Sequence, residues 1–120
     1  MISPTPRLNV AIVGSRDFPS QYVVERMIYE LPAHHRIVSG GARGPDTWAE
    51  QTAKHHKRET LIFSADWNKF GKRAGFVRNN QIIKAADLVI AFHYNNSPGT
   101  KHSISLAKYL NKSYIIVSAK

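Results

Sequence analysis

The segment Ser39–Asp46 (SGGARGPD) decides the fold that this sequence predicts. It follows a short apolar run that ends at Val38 and precedes a helical pattern over residues 47–56. Glycines let the backbone approach an anion closely, and the helix that follows offers unpaired N–H groups and the positive end of its dipole. The segment therefore predicts a phosphate-binding turn between a strand and a helix.

Two similar turns follow other apolar runs, at Gly14–Asp17 (GSRD) and Ser97–Thr100 (SPGT). Apolar runs alternate with helical patterns along the chain, which is typical of βαβ units with a parallel sheet. The pattern predicts an α/β fold, a single Rossmann-like three-layer sandwich of about five mostly parallel strands with helices on both faces. Ligands of such sheets bind beyond the carboxyl ends of the strands, so all three turns are expected to line one pocket. The predicted strands cover residues 8–13, 36–38, 60–63, 88–92 and 114–117.

Local signals predict where the helices begin and end. Ser20 is expected to cap the first helix and Pro32 to end it, while Pro45 suits the first position of the second helix. Residues 64–71 are expected to form a polar loop, and Thr100 to cap the last helix. The apolar residues expected to face the core from the third helix are Phe76, Ile83 and Ala86.

Length and composition predict one domain. The 120 residues suffice for a hydrophobic core, and we expect an extended lead-in over residues 1–7 followed by the domain over residues 8–120. There is no cysteine, and the six histidines have no metal-ligand spacing, so neither a metal nor a cofactor is expected. No apolar run is long enough for a membrane span, and the start does not resemble a signal peptide, which favours a cytoplasmic protein with no membrane partner.

The charge balance favours anionic partners. Lysine and arginine number 17 against 8 acidic residues, giving a formal net charge of +9 and a sequence pI near 10.1. Nucleotides, nucleic acid and an acidic protein are all compatible with this excess. The basic residues are scattered, with local clusters only at residues 54–58 and 69–73.

Side chains within and near the turns supply the candidate binding groups. Arg16 and Arg78 can each hold a phosphate bidentately, and Ser15 can donate a hydroxyl. Asp46 either complements the helix dipole or accepts hydrogen bonds from ribose hydroxyls, and Trp67 either stacks on a base or covers the core. Capping and solvent exposure would equally explain several of these residues. The candidate ligand-binding residues are Gly14, Ser15, Arg16, Gly40, Gly41, Arg43, Gly44, Asp46, Arg78, Asn79, Gly99 and Thr100.

The ordered set of motifs resembles a known superfamily. GSRDF, SGGARGPD, ADW…FGKRAGFVRN, ADLVIAF and SPGT follow one another from about Asn9 to Val117, and they look like the YspA-like (cpYpsA-related) branch of the SLOG superfamily. That superfamily also contains the DNA-processing protein DprA and the LOG phosphoribohydrolases. The resemblance implies a Rossmann-like fold and a pocket for nucleotides or nucleotide-derived ligands, often in phage or bacterial conflict.

The resemblance also assigns residues by position. Residues 14–16 match its first loop, and the third motif matches Arg78 and Asn79. The second loop matches Gly40, Gly41, Gly44 and Asp46, and the fourth motif matches Gly99 and Thr100.

One departure from the LOG enzymes bears on catalysis. Those enzymes use an arginine and a glutamate one turn after their Gly-Thr pair, and a carboxylate suits the positive charge that develops on the ribose. This chain has Ser103 there, and it has no acidic residue from Tyr94 to Lys120. Asp17, Asp46 and Asp66 are the alternatives. Arg78 and Asp46 remain the catalytic candidates, and a binding module is favoured over an enzyme.

Three hypotheses follow from the sequence. The leading one is binding, or sensing, of a nucleotide or an ADP-ribose-like molecule at the carboxyl edge of the sheet. The first alternative is an N-glycosidase that acts on nucleoside monophosphates. The second alternative is DprA-like binding of single-stranded DNA through the basic surface. The sequence leaves open whether the chain forms a homo-oligomer.

Overall fold

The computed structural model describes residues 6–119, so residues 1–5 of the predicted lead-in lie outside the described residues. Strands and helices alternate as the sequence predicts. The strands are β1 (Asn9–Gly14), β2 (Arg36–Ser39), β3 (Thr60–Ile62), β4 (Leu88–His93) and β5 (Ser113–Ser118). The helices are α1 (Gln21–Glu30), α2 (Pro45–His55), α3 (Trp67–Phe70), α4 (Ala74–Ala85) and α5 (Pro98–Tyr109), and a 3₁₀ turn covers Gly71–Arg73.

The five strands form one parallel sheet in the order β3-β2-β1-β4-β5. Ala11 in the central strand β1 pairs with Val38 on one side and Val89 on the other. The order reverses direction between β1 and β4, which is the switch point where doubly wound sheets leave a crevice. The predicted α/β Rossmann-like fold is confirmed.

Alternating strand residues pack against helices on opposite faces of the sheet. One face of the sheet packs against α1 and α2, and the other packs against α4 and α5. Both faces are covered, which explains why the central strands are nearly continuous apolar runs. The fully buried strand residues on the α1–α2 face are Val10, Ile12, Ile37, Ile90 and Phe92.

The expected ends of the first two helices are confirmed. The Val23 N–H donates to the Ser20 hydroxyl at 3.3 Å, so Ser20 caps α1. The helix ends at Glu30, two residues before Pro32. Pro45 begins α2, where its missing N–H has no intrahelical partner to lose.

Two local predictions for residues 64–76 are wrong, and the predicted third helix corresponds to α4. Residues 64–71 are not wholly a loop, because α3 lies within them and the Asp66 carboxylate caps it by accepting the Lys69 N–H at 3.0 Å. Phe76 is 52% exposed, whereas Ile82 and Ile83 are buried. Phe76 lies in the first turn of α4, next to the carboxyl edge of the sheet, and its ring packs edge-on against His102 instead.

The cap of the last helix also differs from the prediction. Ser97 occupies the N-cap position of α5, and Thr100 lies inside the first turn, where it is 2% exposed. Pro98 at the first helical position moves the helix start two residues earlier than the sequence suggested. Within residues 6–119, no helix is long and apolar enough to span a bilayer.

Candidate functional site

A pocket of about 470 Å³ opens at the carboxyl edge of the sheet, at the switch point between β1 and β4. The turn after β1 and the turn after β4 form its two walls, and the first turn of α2 and the second turn of α4 contribute a few side chains. Its lining residues are Val13, Gly14, Ser15, Arg16, Asp17, Ala42, Asp46, Arg78, Asn79, Tyr94, Asn95, Ser97, Pro98, Gly99, Thr100 and Ser103.

A chain of hydrogen bonds joins the two walls. The Tyr94 N–H donates to the Ser15 hydroxyl at 2.9 Å, and the Ser15 and Thr100 hydroxyls lie 3.2 Å apart. Thr100 in turn donates to the Ser97 hydroxyl at 3.3 Å, which makes Ser15 the donor to Thr100. The hydroxyls of Ser15 and Thr100 are thus committed to holding the turns together. Of the three hydroxyls in this series of hydrogen bonds, that of Ser97 can still donate to a ligand.

The N-terminus of α5 provides the clearest anion site in the pocket. The Ser97 side chain accepts no backbone N–H of the helix, since its hydrogen bond is to the Thr100 hydroxyl, and Pro98 has no N–H to satisfy. The amides of Gly99 and Thr100 therefore remain available in the first turn, at the positive end of the helix dipole. A phosphate at this position would receive two backbone hydrogen bonds.

Two arginines add cationic donors to the same pocket. Arg16 is exposed and forms no ion pair among residues 6–119. Arg78 is half-buried, and its buried Nε–H has no hydrogen-bond partner in the described part of the chain. Because Arg78 lines the pocket, its two terminal nitrogens are suited to bidentate binding of phosphate.

The second glycine turn supports the pocket more than it lines it. Ala42 and Asp46 line the pocket, but Gly40, Gly41, Arg43 and Gly44 do not, contrary to the expectation of a phosphate cradle. A Cβ at Gly40 would lie 2.6 Å from Arg78 Cδ, so the absent side chain leaves room for the arginine. Gly44 has φ of +92° and contacts the backbone of Arg16.

Asp46 is a buried carboxyl that holds the second turn together. It is 4% exposed, and its Oδ2 accepts the Gly40 N–H at 2.9 Å. Burial raises its pKa to about 6, against the opposing influence of that hydrogen bond and of the Arg78 guanidinium. The sequence left two roles open for Asp46, as a partner of the helix dipole or as an acceptor for ribose hydroxyls. The structure adds a third role, because its hydrogen bond to the Gly40 N–H holds the turn that carries Gly40.

The other acidic residues expected near the pocket lie apart from it or are exposed. Asp17 lines the rim, where its carboxylate lies 3.7 Å from the Arg43 guanidinium. Asp66 caps α3 and does not line the pocket. Ser103 occupies the wall one turn after Thr100 and is 2% exposed. Among residues 6–119, no group of three or more acidic, histidine or cysteine side chains is arranged to hold a metal.

Asn79 connects the pocket to α5. It is 7% exposed, and its amide nitrogen donates to His102 Nδ1 over 3.2 Å. The amide nitrogen can only donate, so Nδ1 of His102 accepts, and burial lowers the pKa of His102, which favours the neutral ring that this bond requires. This contact fixes the orientation of Asn79 at the pocket wall.

Three exposed rings, Trp67, Phe70 and Phe76, lie on α3 and the first turn of α4 and do not line the pocket; we call them the aromatic platform. These rings are 54%, 38% and 52% exposed. Trp67 and Arg78 both flank Gly75, since a Cβ there would lie 3.7 Å from the indole and 3.9 Å from the Arg78 guanidinium. The exposed basic residues among these rings are Lys69, Lys72 and Arg73.

Sequence reasoning missed part of the turn after β4. Tyr94 and Asn95 line the pocket, yet only residues 97–100 were recognised as a turn. Asn95 and Asn96 have φ of +53° and +58°, a conformation that asparagine tolerates better than most residues. The Asn-Asn pair directly after an apolar run was the signal that could have identified these residues.

Comparison with known proteins identifies the family. The model of the family described as DNA recombination-mediator protein A matches residues 2–66, more than half of the chain. The chain belongs to this family. The Gene 61 protein of Mycobacterium phage D29 is 35% identical over 109 residues, and the alignment covers 82% of this chain and 87% of that protein.

Two solved structures of DNA processing protein A share the fold of this family member. The Helicobacter pylori protein superposes with a TM-score of 0.70 at 24% identity, covering 94% of this chain and 66% of that one. The Streptococcus pneumoniae protein gives 0.62 at 19% identity, covering 92% and 59%. This chain thus spans about two thirds or less of either structure. A unique mode of single-stranded DNA binding is described for the Helicobacter pylori protein.

Proposed function

We propose that this member of the DNA recombination-mediator protein A family binds single-stranded DNA at the carboxyl edge of its sheet. The single observation that carries the proposal is the meeting of two arginines with the uncapped N-terminus of α5 in one pocket. Family membership favours this function, which was the second alternative from the sequence, over sensing of a small nucleotide-derived ligand.

The pocket suits one phosphate of a DNA backbone. The amides of Gly99 and Thr100 supply neutral donors, and Arg16 and Arg78 supply charged ones. Charge-assisted hydrogen bonds are about twice as strong as neutral ones, so the arginines contribute most of the affinity. None of these groups reads a base edge, so binding at this position is independent of sequence.

The aromatic platform suits the bases that flank such a phosphate. Proteins that bind single strands without sequence preference combine a basic surface with aromatic rings on which bases stack. Trp67 exposes its ring beside Arg78, and Phe76 exposes its ring on the side of α4 that faces His102. Lys69, Lys72 and Arg73 lie in the same segment of the chain. We assign Trp67, the base-stacking candidate from the sequence, to this surface.

Fluorescence anisotropy with a labelled five-nucleotide oligo(dT) tests the proposal. We expect Arg16→Ala and Arg78→Ala each to weaken binding on the order of tenfold, as the loss of one charged hydrogen bond predicts. The logarithm of the affinity should fall linearly with the logarithm of the salt concentration. Each variant should reduce that slope by about 0.7, the value for one phosphate contact on a single strand.

A charge-matched control separates the pocket from the overall positive charge. Lys84 and Lys112 lie at the opposite, amino edge of the sheet, where Lys112 donates to the Lys84 carbonyl. Replacing both by glutamine removes the same charge as the two arginine variants together. If this double variant weakens binding as much as Arg16→Ala/Arg78→Ala, the affinity comes from net charge and the proposed site is wrong.

A nucleotide-derived ligand is a second candidate for the same pocket. The observation in its favour is the volume of about 470 Å³, which falls in the range of small-molecule sites. Competition of AMP and ADP-ribose against the five-nucleotide oligomer distinguishes the two. Displacement at micromolar concentration would support the sensor hypothesis and the YspA-like branch. Displacement only at millimolar concentration, as for free phosphate, would support DNA as the ligand.

A further inference from the structure

A second concave surface lies on the α1–α2 face of the molecule. The exposed sides of α1 and α2 leave a groove of about 530 Å³, which we call the α1–α2 groove. Tyr22 and Tyr29 from α1 form one side of it, and His55 and His56 at the end of α2 form part of the other. None of these residues belongs to the pocket at the switch point.

The two tyrosines present aromatic surface to solvent. Tyr22 is 68% exposed and Tyr29 is 58% exposed, although neither is needed to cover the core. They are seven residues apart on one helix face, which separates them by about 10.5 Å along the axis. Tyr29 is held edge-on against His56 with ring centroids 5.4 Å apart. Two exposed rings at this separation can each stack on a base.

The surroundings of the groove carry an excess of positive charge. Arg26 lies 6.0 Å from the centre of the Tyr29 ring, and Arg58 donates to the Tyr29 carbonyl at 3.0 Å. The Nε and Nη1 atoms of Arg58 are buried and have no hydrogen-bond partner in the described chain, so Arg58 adds positive charge behind the groove and no donor within it. The remaining cations near the groove are Lys54 and Lys57, and the acidic residues of α1 are Glu25, which accepts from Gln21, and Glu30, which pairs with Arg26.

The groove begins next to the pocket. Both helices start at the carboxyl edge of the sheet, so Tyr22 in the first turn of α1 lies at the end nearest Arg16. Tyr29 and His56 lie at the far end. A strand that leaves the pocket on this side, opposite the aromatic platform, therefore meets Tyr22 first.

We propose that the α1–α2 groove is a second base-stacking subsite for the same single strand of DNA. Bases stack on Tyr22 and Tyr29, and the backbone follows Arg26 towards the exposed lysines Lys54 and Lys57. This inference rests on the proposed function, because the strand reaches the groove from the pocket. It assigns the protein a longer binding site than the pocket and the aromatic platform alone provide.

Anisotropy with oligo(dT) of five and of twenty nucleotides tests the subsite. We expect Tyr22→Ala/Tyr29→Ala to weaken binding of the twenty-nucleotide strand at least tenfold, since alanine substitution of a stacking ring typically has a large effect. Binding of the five-nucleotide strand should not change. Tyr22→Phe/Tyr29→Phe keeps both rings and should bind both strands as the unmodified protein does. Tyr109→Ala, at an 83% exposed tyrosine of α5, is the control for loss of a surface ring.

The outcomes separate this subsite from the proposed function. If the alanine pair binds the long strand normally while Arg78→Ala does not, the pocket stands and the groove serves another partner, such as a protein, which overturns the inference. If the alanine pair also weakens the short strand, the tyrosines act through the fold and the inference fails. If the unmodified protein binds neither strand, the proposed function itself is wrong. Photocrosslinking of 5-iododeoxyuridine to Tyr22 or Tyr29, mapped by peptide mass, would support the subsite directly.

Discussion

The turns after β1 and β2 look alike in sequence and serve different purposes. Gly14–Asp17 and Ser39–Asp46 both join a buried strand to a helix through glycine. The first turn lines the pocket over its whole length, whereas the second contributes only Ala42 and Asp46. The glycines of the second turn instead make room for Arg78 and for the backbone of Arg16.

Strand order explains this difference. β1 borders β4 at the switch point, where neighbouring crossovers run to opposite faces and leave a crevice. β2 lies between β3 and β1, away from the switch point, and its turn is close to Arg78 at Gly40 and to the backbone of Arg16 at Gly44. A glycine-rich turn thus lines a ligand pocket only where the strand order leaves a crevice beside it. Elsewhere the same residues serve close packing.

Gly14→Ala should break the first turn and give the largest loss of stability. A Cβ there would lie 2.6 Å from Pro45 Cγ and 2.9 Å from the Phe92 carbonyl oxygen, and the backbone cannot yield cheaply. We expect the free energy of unfolding in urea to fall by about 3 kcal/mol. Gly99→Ala is the control, because a Cβ there meets nothing within 4 Å. Equal stability of the two variants would contradict the close packing of the first turn.

Asp46→Asn tests whether the second turn contains a buried charge. The unfolded carboxyl has a pKa near 3.8 and the folded one a pKa of about 6, so the folded chain binds more protons between these values. Its contribution to the free energy of unfolding therefore falls by about 2 kcal/mol as pH rises from 4 to 7. Asparagine keeps the acceptor for the Gly40 N–H but does not titrate.

Urea unfolding of both proteins at several pH values isolates this contribution. The difference between them cancels groups common to both, including His35, whose pKa is lowered by burial. A difference that stays constant from pH 4 to pH 7 would mean that Asp46 is ionised throughout. The Asp46 carboxyl would then be exposed to water, as the pocket-lining turn after β1 is.

Gly40→Ala tests the claim that the second turn positions Arg78. The added methyl clashes with Arg78 Cδ, a flexible side chain that can move, so we expect the stability cost to be only about 1 kcal/mol. The displaced guanidinium should lower affinity for the five-nucleotide strand severalfold. Gly75→Ala is a matched control, because its Cβ would lie 3.9 Å from the same guanidinium. A Gly40 variant that binds as tightly as the Gly75 variant would refute the positioning role.

The sequence predicted the elements of the fold well because their signals are local. The apolar runs that form strands, the Ser20 cap and Pro45 at a helix start each depend only on residues close by in the sequence, and each was placed correctly. The predictions that Phe76 is buried and that Thr100 is a helix cap were wrong, because burial and helix starts near the edge of the sheet depend on how far each helix extends beyond that edge. The pocket follows from strand order, which a single sequence does not encode locally. The order of the motifs predicted that Arg16, Arg78, Gly99 and Thr100 lie at one edge of the sheet. It did not show which glycines line the pocket and which are packed against other residues.

Ser15→Ala gives the smallest expected effect and sharpens the contrast between the two turns. The Ser15 hydroxyl accepts the Tyr94 N–H and donates to Thr100, so it ties the turn after β1 to the turn after β4. Removing it should cost about 1 kcal/mol of unfolding free energy, the usual contribution of such hydrogen bonds. Affinity for the five-nucleotide strand should fall less than threefold, because the amides of Gly99 and Thr100 remain. A tenfold loss of affinity without a loss of stability would instead mean that Ser15 donates to the phosphate, as its position in the sequence first suggested.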